Sequence, residues 1–82
     1  MTKPMRDEFE IDGDAVEHVP TGYRMQFHPG SRDTGIAELG EVGRALPDGR
    51  RYEADDIREM VREVRRTQLA RRMFAIDEKE AD

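Results

Sequence analysis

The sequence predicts a small α+β domain: an antiparallel sheet of about three strands packed on one long C-terminal amphipathic helix. Three observations predict it. Ile57, Met60, Val61 and Val64 recur at helical spacing. Tyr23, Met25 and Phe27 alternate with Arg24, Gln26 and His28 at the period of a half-buried strand. Pro47-Asp48-Gly49 marks a tight turn shortly before the helix.

Composition sets the frame for these elements. The 82 residues are expected to form a single domain, 1–82, with mobile ends at about 1–6 and 77–82. Charged residues make up 40% and hydrophobic residues 35%, which leaves enough apolar surface for one helix face against one sheet face. A homodimer would relieve the shortage. There is no cysteine, so neither a disulfide framework nor a thiolate metal site is expected. No apolar run approaches the roughly 18 residues of a membrane span, and the default expectation is a cytoplasmic location.

Charge is unevenly spread over the net −5. Residues 1–49 carry 5 basic and 10 acidic groups, 50–72 carry 8 and 5, and 73–82 carry 1 and 4. An acidic N-terminal half therefore faces a basic helix, and the acidic half would repel phosphates, which argues against the whole molecule lying on nucleic acid.

At the N-terminus, Asp7, Glu8, Glu10, Asp12, Asp14 and Glu17 put six carboxylates into eleven residues. Phe9 and Ile11 alternate with Glu10 and Asp12, which predicts a short edge strand showing carboxylates to water. Such a surface can solubilise the chain, or it can imitate a phosphate backbone and compete for a basic groove. Glu10, Asp12 and Asp14 have the spacing of a calcium loop, but Ala15 stands where that loop needs glycine and Thr21 where it needs the closing glutamate.

His18-Val19-Pro20-Thr21-Gly22 reads as a loop, and Tyr23–Phe27 as the strand that meets the helix seam. The polar stretch His28-Pro29-Gly30-Ser31-Arg32-Asp33-Thr34-Gly35 admits three chemical readings beside that of a plain turn. A His28/Ser31/Asp33 catalytic set would need a supporting shell that eight loop residues hardly supply. An anion could be held by Arg32 and the backbone N–H groups, although no Gly-Lys-Ser/Thr sequence is present. Asp33-Thr34-Gly35 is similar to the active-site tripeptide of retroviral-type aspartic proteases, but Ser31-Arg32 stand where that family has apolar strand residues, and no flap sequence follows.

Residues 36–46 fit a helix or a strand, and Gly40 and Gly43 tip the reading to strand because each costs a helix about 1 kcal/mol. With Pro47-Asp48-Gly49 as its turn, a hairpin of Val42–Leu46 with Arg50–Tyr52 is expected. The helix follows from Asp55 to about Ile76, opened by an Asp56/Glu59 capping box. Arg58, Arg62, Arg65, Arg66 and Arg72 are read on one flank of its seam and Asp56, Glu59 and Glu63 on the other, with Asp55–Arg58, Glu59–Arg62 and Glu63–Arg66 as supporting pairs. Past Arg66 the apolar set moves to Leu69, Met73, Phe74 and Ile76, which implies either a kink or end near Thr67 or a second apolar surface. His18 and His28 are the only imidazoles and have no metal-ligand spacing.

The functional expectation is a non-catalytic protein-binding module that needs no cofactor or metal. Its partner-binding residues would be Asp7, Glu8, Glu10, Asp12, Asp14 and Glu17, or Arg58, Arg62, Arg65, Arg66 and Arg72. The partner would be a larger protein or complex with a basic nucleic-acid-binding surface. The sharpest form is a phage or mobile-element inhibitor of the anti-CRISPR or DNA-mimic type. The alternatives are a small dimeric DNA-binding regulator using the arginine-rich helix, and a structural subunit of a larger assembly.

Overall fold

A computed structural model describes the backbone of residues 1–81 and the side chains of residues 1–72. A four-stranded antiparallel meander, β1 (Phe9–Asp12), β2 (Ala15–His18), β3 (Tyr23–Phe27) and β4 (Gly35–Glu38), lies in the order β1-β2-β3-β4. One helix, α1 (Ala54–Ala81), covers one face, and a short 3₁₀ turn (Arg6–Glu8) precedes the sheet. The α+β class and the sheet-on-helix arrangement are as expected, with four strands in place of about three.

The additional strand comes from the acidic stretch, which folds into a hairpin of its own. Asp12 pairs with Ala15, so Gly13 and Asp14 form a two-residue turn. Gly13 has φ 61 and Asp14 is not in the left-handed region, the pattern of a type II′ turn with glycine first. Val16 and His18, expected in or beside a loop, thereby become the central strand of the core face.

The other differences fall between β3 and α1. The predicted extended stretch over 36–46 is strand only at its start, as β4. Gly40 stands at φ 57, which ends the extension before Val42, and Gly43 at φ 83 turns the chain again after it. The turn at Pro47-Asp48-Gly49 forms, with Gly49 at φ 88 and Leu46 N–H donating to Arg50 O at 2.7 Å. Gly43 N–H also donates to Tyr52 O, yet Val42–Leu46 and Arg50–Tyr52 do not join as strands. That hairpin is replaced by an irregular connection pinned at two points.

The helix starts at Ala54, and Ile57 N–H donates to Glu53 O, so Asp55 and Asp56 sit in the first turn, where their charge meets the positive end of the helix. Asp56 is therefore inside the helix and does not cap it. The helix runs unbroken past Thr67. Met73, Phe74 and Ile76, together with the end at 77–82, fall outside the described side chains. At the other end, Thr2 N–H donates to Arg51 O at 2.8 Å and Lys3 lies 3.5 Å from Asp56, so residues 2 and 3 are tied to the segment entering α1.

The core is Phe9, Val16, Tyr23, Phe27, Leu46, Tyr52, Ile57, Val61 and Val64, with Met25, Val42 and Met60 partly buried against it. Ile57, Val61 and Val64 are each at most 1% exposed, and burying a side chain of this kind contributes about 1.5–3 kcal/mol. The seam read from the sequence is the one that packs.

Candidate binding surfaces and a buried polar network

The strand register sorts the sheet into two faces. Val16, His18, Tyr23, Met25 and Phe27 point toward α1, and the intervening residues point away from it. On the far face Glu10, Glu17, Arg24 and Glu38 form one cross-strand row, because Glu10 pairs with Glu17, Glu17 with Arg24, and Arg24 with Glu38. Asp12 lies beside the row, and Arg24 reaches both Asp12 and Glu17 at 3.5 Å. Four carboxylates thus surround a single guanidinium, which pairs with two of them. Ile36, 73% exposed, pairs with Gln26 on the same face and gives it an apolar point.

The six N-terminal carboxylates do not form one surface. Glu10, Asp12 and Glu17 belong to this outer face, and Asp7 is exposed in the 3₁₀ turn. Glu8 and Asp14 are engaged elsewhere.

Glu8 sits in a buried network. Its Oε2 accepts from the Tyr52 hydroxyl at 2.8 Å and from Arg50 Nη1 at 3.2 Å. Its Oε1 accepts from Met5 N–H at 2.9 Å and lies 3.2 Å from His18 Nε2. An ionised carboxylate only accepts, so Nε2 is assigned the proton and Nδ1 accepts from the Thr21 hydroxyl at 2.8 Å. His18 is wedged between the Phe9 and Tyr52 rings, with centroids at 4.7 and 4.6 Å. Burial holds its pKa below the ordinary value, against the upward pull of Glu8. Burial alone would raise Glu8, but the Met5 N–H, the Tyr52 hydroxyl and the His18 ring together lower it. Burial and the Glu8 contact raise Tyr52. Thr21, His18 and Glu8 have the order of a nucleophile, base and acid, yet Thr21 and His18 are both buried and Thr21 Oγ1 also accepts from Tyr23 N–H at 3.2 Å. The network fastens the N-terminal turn and the entry to α1 onto β2.

Asp14, at the tip of the β1–β2 hairpin, receives Arg65 at 3.0 Å and Arg72 at 3.3 Å, and the two guanidiniums hold its pKa low. Arg65 is fully buried, a correction to its expected position on a solvated flank. It donates to Ser31 O at 2.8 Å, His28 O at 3.3 Å and Gln68 Oε1 at 2.9 Å, and stacks over the Phe27 ring at 4.9 Å. Gln68 and Arg72 both donate to Gly13 O. At about 100° per residue, Gln68 stands inside the seam, and Arg72 and Arg65, at about 60° and 80° from Ile57, border it more closely than Arg58, Arg62 and Arg66. That angle was the available signal for Arg65. The polar end of the seam is a clamp on the hairpin, not a lost core.

Arg58, Arg62 and Arg66 form the exposed arginine row. Of the three expected i to i+3 pairs only Asp55–Arg58 is formed among the described residues, at 3.3 Å. Arg62 and Arg66, with Arg32 and Asp33 from the loop, line a recess of about 410 Å³. Next to it a groove of about 150 Å³ opens between α1 and the β3–β4 half of the sheet, with Met25, Ala37 and Val61 in its lining and Arg58, Arg62 and Asp33 at its polar edge.

In the loop itself, Ser31 Oγ and Thr34 Oγ1 are 2.7 Å apart, and Ser31 Oγ accepts from the Asp33 and Thr34 N–H groups. These bonds close a turn, and no side-chain hydrogen bond of His28 joins them among the described residues. Among those residues no group of three or more His, Cys, Asp or Glu side chains could hold a metal ion, and no helix is long and apolar enough to cross a membrane. Compared with protein-family models, with curated proteins and with solved structures, the chain finds no match.

Proposed function

We propose that the protein is a non-catalytic protein-binding module whose outer sheet face docks on a basic surface of a larger partner, in the manner of a nucleic-acid mimic. The observation that carries this reading is the cross-strand row Glu10–Glu17–Arg24–Glu38 with Asp12 beside it, on the face that α1 leaves uncovered. Neighbours in the row are about 5 Å apart across the strands, and Glu10 and Asp12 are about 7 Å apart along β1, so a rigid sheet presents fixed negative charge to lysines and arginines. Ile36 supplies an apolar contact within the acidic field. In the Thr21–His18–Glu8 arrangement the hydroxyl and the imidazole are both buried, which favours binding over turnover.

A DNA-binding regulator built on the helix is less well supported. Arg65 is used inside the fold and Arg72 is held by Asp14, which leaves Arg58, Arg62 and Arg66 interleaved with Glu59 and Glu63. A strip so balanced neutralises few phosphates.

The test is affinity capture from extract of the native cell by the wild-type protein and by an E10Q/D12N/E17Q/E38Q variant. The wild type retains a partner that competing duplex DNA displaces and that salt weakens steeply from about 50 to 200 mM. The sheet-face variant loses it, and an R58Q/R62Q/R66Q variant keeps it. Retention by the sheet-face variant, or direct binding of the protein to duplex DNA, overturns the proposal.

A further inference from the structure

A second surface stands on the other side of the molecule, where the helix and the open edge of the sheet diverge. β4 is the last strand of the sheet, and among the described residues no strand pairs with its outer edge. Such an edge is a row of unsatisfied backbone donors and acceptors that a second chain can complete. Directly under it lies the groove lined by Met25, Ala37 and Val61. Its volume, about 150 Å³, is that of a cavity able to take one aromatic or branched aliphatic group.

The groove continues into charge. Arg62 lines the apolar groove, the recess formed with Arg32, Asp33 and Arg66, and the shallow trough along the helix, so it stands where all three meet. No ion pair among the described residues engages Arg32, Arg62 or Arg66, whereas Arg24, Arg50, Arg65 and Arg72 are all paired. Three guanidiniums from two separate elements thus converge on one recess against the single carboxylate of Asp33. Glu59 and Glu63 border the trough beyond them, which stops the positive field after one anionic group or two and disfavours a continuous phosphate backbone.

We propose that this site binds an extended acidic segment of a partner protein, added to β4 as a fifth strand. One apolar side chain of the segment fills the groove, and a Glu or Asp two residues away, about 7 Å along the strand and on the same side, meets Arg62, Arg66 and Arg32. Backbone pairing supplies the general affinity, and the apolar-x-acidic pattern supplies selection. The site uses the edge of β4 and the side of the sheet that faces α1, shares only that strand with the acidic face, and survives the failure of that reading.

The experiment selects a displayed library of random nonapeptides against the full chain, then measures selected peptides by fluorescence anisotropy. The wild type enriches an apolar-x-acidic pattern. A selected peptide shifts the amide resonances of residues 35–38, loses binding when proline replaces a residue beside the apolar one, and weakens by about tenfold for each of R62E and R66E, the loss of one charge-assisted contact. Both arginines are exposed and outside every ion pair described, so circular dichroism should find both variants folded. Neutralising Glu10, Asp12 and Glu17, which lie on β1 and β2, leaves peptide binding unchanged. Absence of enrichment, enrichment without an acidic residue, indifference to R62E, or a self-associated dimer that blocks β4 each overturns the proposal, as does a duplex oligonucleotide that occupies the recess in place of peptide.

Discussion

Arg65 Nη1 lies 3.0 Å from Asp14 Oδ1, a pair that joins the middle of the helix to the tip of the β1–β2 hairpin. The guanidinium is fully buried and the carboxylate only partly so, which makes Arg65 the member whose loss the fold feels. Its planar fork also serves the Ser31 and His28 carbonyls and the Phe27 ring, contacts that an ammonium cannot reproduce together.

Arg65→Met is therefore expected to destabilise the protein by about 1–3 kcal/mol, because it strips the Ser31 and His28 carbonyls of their donor while Asp14, partly exposed, keeps Arg72. Arg65→Lys should recover only part of this, and Asp14→Asn should cost less than either. Urea unfolding of the three variants measures the order. A loss at Asp14→Asn larger than at Arg65→Met would mean that the hairpin tip, and not the arginine, organises the contact.

The seam of Ile57, Val61 and Val64 and the Tyr23–Phe27 strand were legible because burial writes a period into the sequence, 3.6 in one case and 2 in the other. The first hairpin was not, because Gly13-Asp14 is hidden in a run of carboxylates whose charge drew the reading toward a solvated strand. Arg65 was misread for a related reason: its residue type suggests water, while its helical angle points at the sheet. The Glu8–His18–Tyr52 network left no local trace, since its members lie up to 44 residues apart and meet only through the fold. The exposed row Arg58, Arg62 and Arg66 followed from angle alone, but its convergence with Arg32 needed the loop to be in place.

That network makes acid the weak point of the fold. His18 is held below its ordinary 6.5, so as pH falls past that value the unfolded chain takes a proton that the folded protein resists. Glu8 is held below its ordinary 4.5, so the stability its carboxylate contributes is present above that pH and is lost below it. Stability should decline from pH 6.5 downward and more steeply below 4.5. His18→Gln, which bonds without titrating, removes the first decline and leaves the second. Urea midpoints across this range decide it, and an unchanged slope in the variant would clear His18 of the effect.

Two glycines of the sheet separate crowding from strain. A Cβ on Gly35 would overlap the Gln26 carbonyl oxygen and stand 2.8 Å from Phe27 Cα, both backbone atoms of β3 that no rotamer change can move. Gly35→Ala should force β4 off β3 at a cost of about 2–3 kcal/mol. Gly13 has open space around it but φ 61, so Gly13→Ala meets backbone strain alone, about 1–2 kcal/mol. Thermal unfolding gives the ranking, and only Gly35→Ala should also broaden the amide resonances of residues 35–38.

Glu10 stands directly across from Glu17, and like charges in that relation oppose strand pairing. Arg24 relieves Glu17 at 3.5 Å, but no ion pair among the described residues reaches Glu10. Glu10→Lys replaces the repulsion with an attraction across β1 and β2, and should raise stability by about 0.5 kcal/mol, less at high salt. If the outer face is the docking surface, the same change should weaken partner capture, because it puts a positive charge at one end of the acidic row. A more stable protein that binds less well would mark Glu10 as a residue kept for recognition against the interest of the sheet. A more stable protein that binds as before would remove Glu10 from the surface, and a less stable one would show that the pair does not repel.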